Sequence, residues 1–285
     1  LNWLGTNGTV YANDFGFSKV PDETLSIWDK EQVLADVVWA IRKFQPDVII
    51  NRFDHRSPGT THGHHTASAM LSLEAFDLAA DNTRYASQLN YVQAWQAKRI
   101  FFNTSWWFFG SQEKFDAADK SNYISLKTGV FDPTSGLSNS EISALSRSKH
   151  QSQGFGTTGA RGEEIEYLEL LKGTLPKNNQ DLFEGINTTW SRVKGGEAIG
   201  KILGQVEKQF DFKNPAASVP ALVKAYALIQ RLEDAHWRAI KTEEIKAIIA
   251  ACSGLFLEVA SSEHLATRGS TVVLNSEVIV RSSVA

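Results

Sequence analysis

Cysteine is nearly missing from this chain: Cys252 is the only one in 285 residues. An internal disulfide framework and a cysteine-rich zinc site are both excluded. Basic runs are missing as well. The 29 lysines and arginines are scattered among 32 acidic residues, for a net charge of −3. That balance argues against nucleic acid or an anionic membrane as the main partner. No apolar run is long enough to span a bilayer, and no signal peptide is visible. A methionine start is lacking too. The chain opens on Leu1, and Glu277-Val278-Ile279-Val280-Arg281 reads as a strand just before the last residue. The expectation is a piece of a longer protein, which leaves the compartment open: periplasmic or secreted if the parent has a signal peptide, cytoplasmic otherwise. The sequence also leaves the oligomeric state open. What is plentiful is apolar content, at 42%. That is ample for a packed core, at a length suited to one large domain or two ordinary ones.

Residues 1–28 read as an aromatic loop region centred on Asp14-Phe15-Gly16-Phe17-Ser18. Asp29 then has the position of a helix N-cap, with Gln32 three residues on as its reciprocal partner. The helix it opens puts Leu34, Val37, Val38 and Ile41 on one face and ends before Pro46. Residues 48–53 open on the apolar run Val48-Ile49-Ile50 and read as an interior parallel strand covered on both faces. A buried helix follows over about 64–80. Residues 98–103 and 122–126 read as further strands, and 139–149 as a helix. Alternating helix and strand patterns up to about residue 175 predict an α/β, Rossmann-like layered domain with a parallel sheet. Beyond about residue 185 three amphipathic stretches appear, at 197–211, 218–231 and 234–251. The tail turns to β character at 255–259, 271–274 and 278–280. The expected organisation is a catalytic domain over 1–185, a helical segment over 186–252 and the start of a β domain over 253–285. The last third has no clustered His, Asp or Glu in loops, so no catalytic group is expected from it.

Four of the seven histidines, His55, His62, His64 and His65, fall within eleven residues. They lie in the loop after strand 48–53 and at the start of the next helix, where α/β proteins place ligand sites. Imidazole is the commonest zinc ligand and the usual acid–base group near neutral pH. At helical spacing His62 and His65 lie about 60° apart on one face, while His64 points well away from His62. Two histidines can therefore share one metal-centred site, with the third behind it. The helix dipole disfavours protonation at a helix N-terminus and so keeps the rings available as ligands. An HxxH pair is weak on its own, and a solvated histidine loop is the plain alternative. The context of buried strand, short loop and buried helix favours a site.

Pro46-Asp47-Val48-Ile49-Ile50, the loop, and His62-Gly63-His64-His65 before a small-residue helix resemble the second signature of the PIG-L/LmbE-like zinc deacetylases. Asp14-Phe15-Gly16-Phe17-Ser18, Glu23-Thr24-Leu25 with Trp28-Asp29, and the run from Ser146 to Gly156 resemble a large bacterial branch of that family. The resemblance covers roughly residues 11–175. It implies a zinc-dependent hydrolase that removes the N-acetyl group from an N-acetylglucosamine-type conjugate. On the family pattern His65 matches a zinc ligand. His62 matches the histidine that steadies the oxyanion or protonates the leaving amine. The family's first signature, His-Pro-Asp-Asp, supplies the other two ligands and the general base; it is missing here and is expected upstream of Leu1. His64 stands where the family usually has Asp. In such a site zinc lowers the pKa of bound water toward ~7 and a carboxylate takes its proton. With one ligand and no such carboxylate, the chain as it stands is expected to hold zinc weakly and to be inactive.

Further candidates are weighed against plainer roles. Arg52 ends the strand and is a candidate substrate contact; the alternative is a salt bridge with Asp54 or Asp47. His150, Gln151 and Gln153 follow a helix in a glycine-rich loop and resemble a family segment near the substrate pocket; the alternative is a helix cap. Asp54 and His64 are candidates for a supporting layer around the metal. Asp14 is a candidate for approaching the pocket, with a structural turn as its alternative. Trp106 and Trp107 are candidates for stacking on a sugar, with a core role as the more common use of such residues. His55 reads as loop surface, and His236 and His264 as structural. Two other functions stay open: a non-catalytic carbohydrate-binding relative, and another metal-dependent amidohydrolase.

Overall fold

A computed structural model describes residues 18–151 and 154–283. The Asp14 motif and Gln153 lie outside the described residues. The chain divides into two compact units, Leu1–Ile186 and Asn187–Ala285.

The first unit is mixed α/β. Helices α1 (Pro21–Ile27) and α2 (Lys30–Phe44) precede strand β1 (Val48–Asn51) and helix α3 (Gly63–Leu78). Strand β2 (Arg99–Thr104), short helices α4 (Trp106–Phe109) and α5 (Gln112–Ala117), and strand β3 (Tyr123–Lys127) follow. A two-residue ladder of β4 (Phe131–Asp132) and β5 (Leu137–Ser138) leads into α6 (Asn139–Ser148) and then β6 (Ile165–Gly173). The main sheet has the order β1-β2-β6-β3. β1 and β2 are parallel, joined by the α3 crossover. β6 runs antiparallel to both β2 and β3.

This corrects the expected parallel sheet: the sheet is mixed, and among the described residues one pair of the four strands is parallel. The cause is β6, which the apolar pattern did not reveal. Glu166, Glu169 and Lys172 interrupt its hydrophobic run, so it does not read as an interior strand. A second correction concerns 21–27, expected as loop. Pro21 in the first turn, with Asp22 and Glu23 beside it, starts α1 as those residue types do at a helix N-terminus.

Asp29 caps α2: its carboxylate accepts from the Gln32 backbone N at 3.1 Å and from Gln32 Nε2 at 2.5 Å. α2 packs Val33, Leu34, Val38 and Ile41 on Ala67, Leu71, Ala75 and Ala79 of the α3 segment. α3 in turn places Phe76 and Leu73 against Ile49, Ala97 and Ile100 on the sheet. The other sheet face is covered by the segment after β6. Phe101, Ile124 and Leu168 pack against Leu175 and Leu182. Buried Arg99 holds that covering segment, donating to the Leu182 and Glu184 carbonyls at 2.8 Å each.

Arg42 fastens the far end of α3. It is fully buried and donates from Nε to Ala79 O (3.1 Å) and from Nη1 to Tyr85 O (3.2 Å) and Gln88 Oε1 (3.1 Å). Nη2 donates to Leu78 O (3.2 Å), Asp81 O (2.7 Å) and Arg84 O (2.9 Å). The last carbonyls of a helix need partners outside it, and a planar guanidinium meets several at once.

The second unit contains α7 (Gly196–Lys208), α8 (Val219–Ile229), α9 (Ala235–Ser253) and the hairpin of β7 (Leu255–Ser261) and β8 (Leu274–Val280). Of the two apolar patches expected there, 278–280 and Leu274 belong to β8, while 271–273 precede the strand. Ile199, Ala225, Ile229, Leu232 and Ile245 form the helical core, with Trp190 and Trp237 packed on it. Among the described residues no helix is long and apolar enough to cross a membrane.

Candidate functional site

The histidines owe their position to a fastened loop. β1 ends at Asn51, whose buried amide donates to Ala69 O at 3.5 Å. In the loop, Asp54 accepts from the Arg56 backbone N (3.1 Å), Arg56 Nε (2.9 Å) and Ser57 Oγ (2.9 Å). Arg56 then reaches across to β6 and grips Glu169 with two bonds, 2.9 Å to Oε1 and 2.6 Å to Oε2. Such a bidentate pair fixes orientation as well as distance. It holds the Arg56 guanidinium's pKa above its usual value. Burial raises the Asp54 carboxyl, but the bonds from Arg56 and Ser57 outweigh it and leave a net lowering.

The loop delivers His62 as the N-cap of α3, with extended backbone at φ −62° and ψ 147°. Gly63 follows and has no side chain for a reason. A Cβ there would collide with the Val20 carbonyl and the Thr24 hydroxyl. The segment before α1 thus lies directly on the first turn of α3, tied by Gly63 N donating to Ser18 O at 3.0 Å. That contact carries Lys19 to the site, with its Nζ 2.9 Å from His62 Nδ1.

His62 and His65 line one cleft of about 380 Å³ with Lys19, Phe53, Gly59, Thr60, Thr61 and Trp107. Among the described residues the lining contains no carboxylate. His65 stacks on Phe53 with ring centres 3.8 Å apart and planes 11° from parallel. Burial, with the charges of His64 and His62 added, pushes the His65 pKa down to about 4. The ring is therefore neutral near pH 7, with a lone pair available. Its Nδ1 is buried and finds no hydrogen-bond partner among the described residues.

His64 departs from the helical-wheel expectation. Its ring lies 5.8 Å from His62 and 4.1 Å from His65, and His62 lies 5.8 Å from His65. The three rings form one cluster because His62, as the N-cap, lies outside the helical repeat. His64 does not line the cleft and stands behind His65.

The other candidates divide. Trp107 lines the cleft and is half exposed, contrary to its expected core role, and Trp106 is exposed. Arg52 points to β2 and donates to Asn103 Oδ1 at 2.9 Å, lining the neighbouring apolar groove with His65. Asp54 serves Arg56 and Ser57 and does not line the cleft. His55 is half buried, contrary to a surface role, with Nδ1 3.5 Å from Asp54. His150 is exposed after α6, and its backbone N donates to Arg147 O at 3.0 Å. It lines none of the cavities described here. A separate polar hollow of about 490 Å³ lies between α6 and the strands, lined by Asn103, Ser140, Arg147, Glu164 and Glu166 among others. In the second unit His236 is half buried, with its pKa lowered by burial, while His264 is exposed.

Sequence reasoning missed Lys19 and the Arg56–Glu169 pair. Both depend on long-range contacts, 43 and 113 residues apart along the chain, which leave no local pattern.

The donor set can be compared with what zinc requires. His65 is neutral, with one buried ring nitrogen lacking a partner, and suits a ligand. A catalytic site takes three protein ligands and keeps a position open. Among the described residues no group of three His, Cys, Asp or Glu is arranged to hold a metal. Compared with models of known families, with curated proteins and with solved structures, the chain matches none.

Proposed function

We propose that the chain carries the histidine side of the active site of a zinc-dependent N-deacetylase of the PIG-L/LmbE-like kind. It would act on an N-acetylglucosamine-type conjugate. The observation that carries this reading is the meeting of His62 and His65 in one cleft, at the C-terminal end of β1, with Trp107 in its wall. The β1–α3–β2 crossover is the Rossmann-like element of the proposal. In this reading His65 is the zinc ligand of the described residues, and the remaining ligands and a carboxylate base lie outside them. Bound zinc supplies an activated water and polarises the acetamide carbonyl. His62 offers a ring N–H to the developing oxyanion or leaving amine. Trp107 and Phe53 give the sugar an apolar wall and keep water from that side.

A second reading keeps to the described residues, among which no carboxylate lines the cleft. A non-catalytic carbohydrate-binding relative fits that lining.

Zinc titration of the chain tests the proposal. Weak binding is expected, and His65→Ala should abolish it. In a version carrying a His-Pro-Asp-Asp signature ahead of Leu1, zinc should bind tightly and acetate should be released from N-acetylglucosamine conjugates. If that version binds the conjugate, holds zinc and releases no acetate, the binding-module reading replaces this one.

A further inference from the structure

We propose that Lys19 is a positioning residue of the histidine cleft, which holds His62 through Nδ1 and so makes its ring a hydrogen-bond donor through Nε2. The assignment of the donor's purpose to an oxyanion rests on the deacetylase reading; the tautomer does not.

The geometry is built from the backbone outward. Ser18 and Thr24 are buried, with their hydroxyls 2.6 Å apart. Ser18 O accepts from Gly63 N at 3.0 Å, and the Lys19 backbone N donates to Glu23 Oε2 at 3.0 Å. The main chain on both sides of the Lys19 side chain is therefore fixed against α1 and α3. Absence of a Cβ at Gly63 permits this approach. The ammonium then reaches His62 Nδ1 at 2.9 Å.

The chemistry of that contact has only one sense. An ammonium group has donors and no acceptor, so Nδ1 must present its lone pair. In a neutral imidazole the proton then sits on Nε2. A carboxylate in the place of Lys19 would do the reverse. It would take the Nδ1 proton and leave Nε2 as a lone pair, suited to a base or a metal ligand. Lys19 thus divides the work of the two cleft histidines. His62 donates, while His65, stacked on Phe53 with its buried Nδ1 lacking a partner among the described residues, is left to act as the acceptor or ligand.

Long-range proton–nitrogen correlation spectra of the full chain, labelled with ¹⁵N-histidine and recorded at mildly alkaline pH, test this directly. His62 should show a protonated Nε2 and a hydrogen-bonded, unprotonated Nδ1. Lys19→Arg should preserve that signature. Lys19→Met should shift the Nδ1 resonance toward that of an unbonded nitrogen, and Lys19→Glu should transfer the proton to Nδ1. A wild-type ring with its proton on Nδ1 overturns the proposal without any variant, as does an Nδ1 resonance unmoved in a folded Lys19→Met chain. In a zinc-loaded active version, Lys19→Glu should lower kcat about 10²-fold, the scale of losing one oxyanion donor, and Lys19→Arg should restore most of it. Absence of any acetate release would count against the deacetylase reading while leaving the histidine spectrum intact.

Discussion

The two ends of α3 are built differently. At the C-terminal end, Arg42 is fully buried and satisfies five carbonyls and one side-chain amide oxygen. At the N-terminal end, three imidazoles crowd within 5.8 Å, and the buried Nδ1 of His65 has no partner among the described residues. A polar network with every member satisfied gives rigidity. A cluster that leaves a buried polar atom unmatched costs stability and needs a reason. The helix is therefore anchored at one end so that the other can hold groups the fold itself does not require.

Breaking the anchored end should have the largest effect. Arg42→Met leaves the buried Ala79 carbonyl and several half-buried ones without their donor, and a loss of about 3–5 kcal/mol in unfolding free energy is expected from denaturant titration. Arg42→Lys should recover only part, because an ammonium cannot reach six acceptors. A loss below about 1 kcal/mol would dissolve the contrast.

Next comes Gly63→Ala. The added methyl meets the Val20 carbonyl and Thr24 hydroxyl, and overpacking of this kind costs about 1–3 kcal/mol. Thermal unfolding measures the cost, and the His62 nitrogen spectrum should change with it, since Lys19 is displaced.

At the other end, His65→Gln should cost about 1 kcal/mol or less, the scale of a lost ring stack, yet remove zinc binding. Calorimetry with and without zinc separates the two. A cost as large as that of Arg42→Met would make His65 an ordinary core residue.

The smallest effect concerns Tyr123, beside the Glu169 end of the loop clamp. Burial first, then the Glu169 carboxylate, pushes its hydroxyl up to about 12. The fold holds this proton more tightly than the unfolded chain, whose tyrosines titrate near ~10. The resulting stability is complete below about pH 10 and is lost as pH rises through 12. Phenolate absorbance should show a step near pH 12, and Tyr123→Phe should remove that step.

Much of this arrangement is legible in the residues. The Asp29 cap, the apolar residues 48–50 and the small-residue helix after His62 mark the elements that carry the site, because each is governed by short-range chemistry. The interior position expected for the strand is corrected, since β1 ends at Asn51, stands at the edge of the described sheet and leaves Ile50 half exposed. β6 is not legible, since its charged residues hide a strand whose partners lie far away in sequence. The relation of His64 to His62 was misjudged because a cap residue leaves the helical repeat. Lys19 gives no local signal at all: a lone lysine in a surface segment becomes part of the cleft only when Gly63 lets two backbones touch.

The strand order also sets a timetable for synthesis. β1, α3 and β2 are contiguous in the chain and can assemble as soon as residue 104 has left the ribosome. Among the described residues β3 pairs in the sheet only with β6, so it must wait until residues 165–173 emerge. Through that interval β2 presents an open edge carrying Phe101 and Phe102, the kind of edge that invites pairing with the wrong chain. Nascent chains stalled before residue 165 should therefore be cut by protease within 99–127, and chains stalled beyond the exit of 173 should resist.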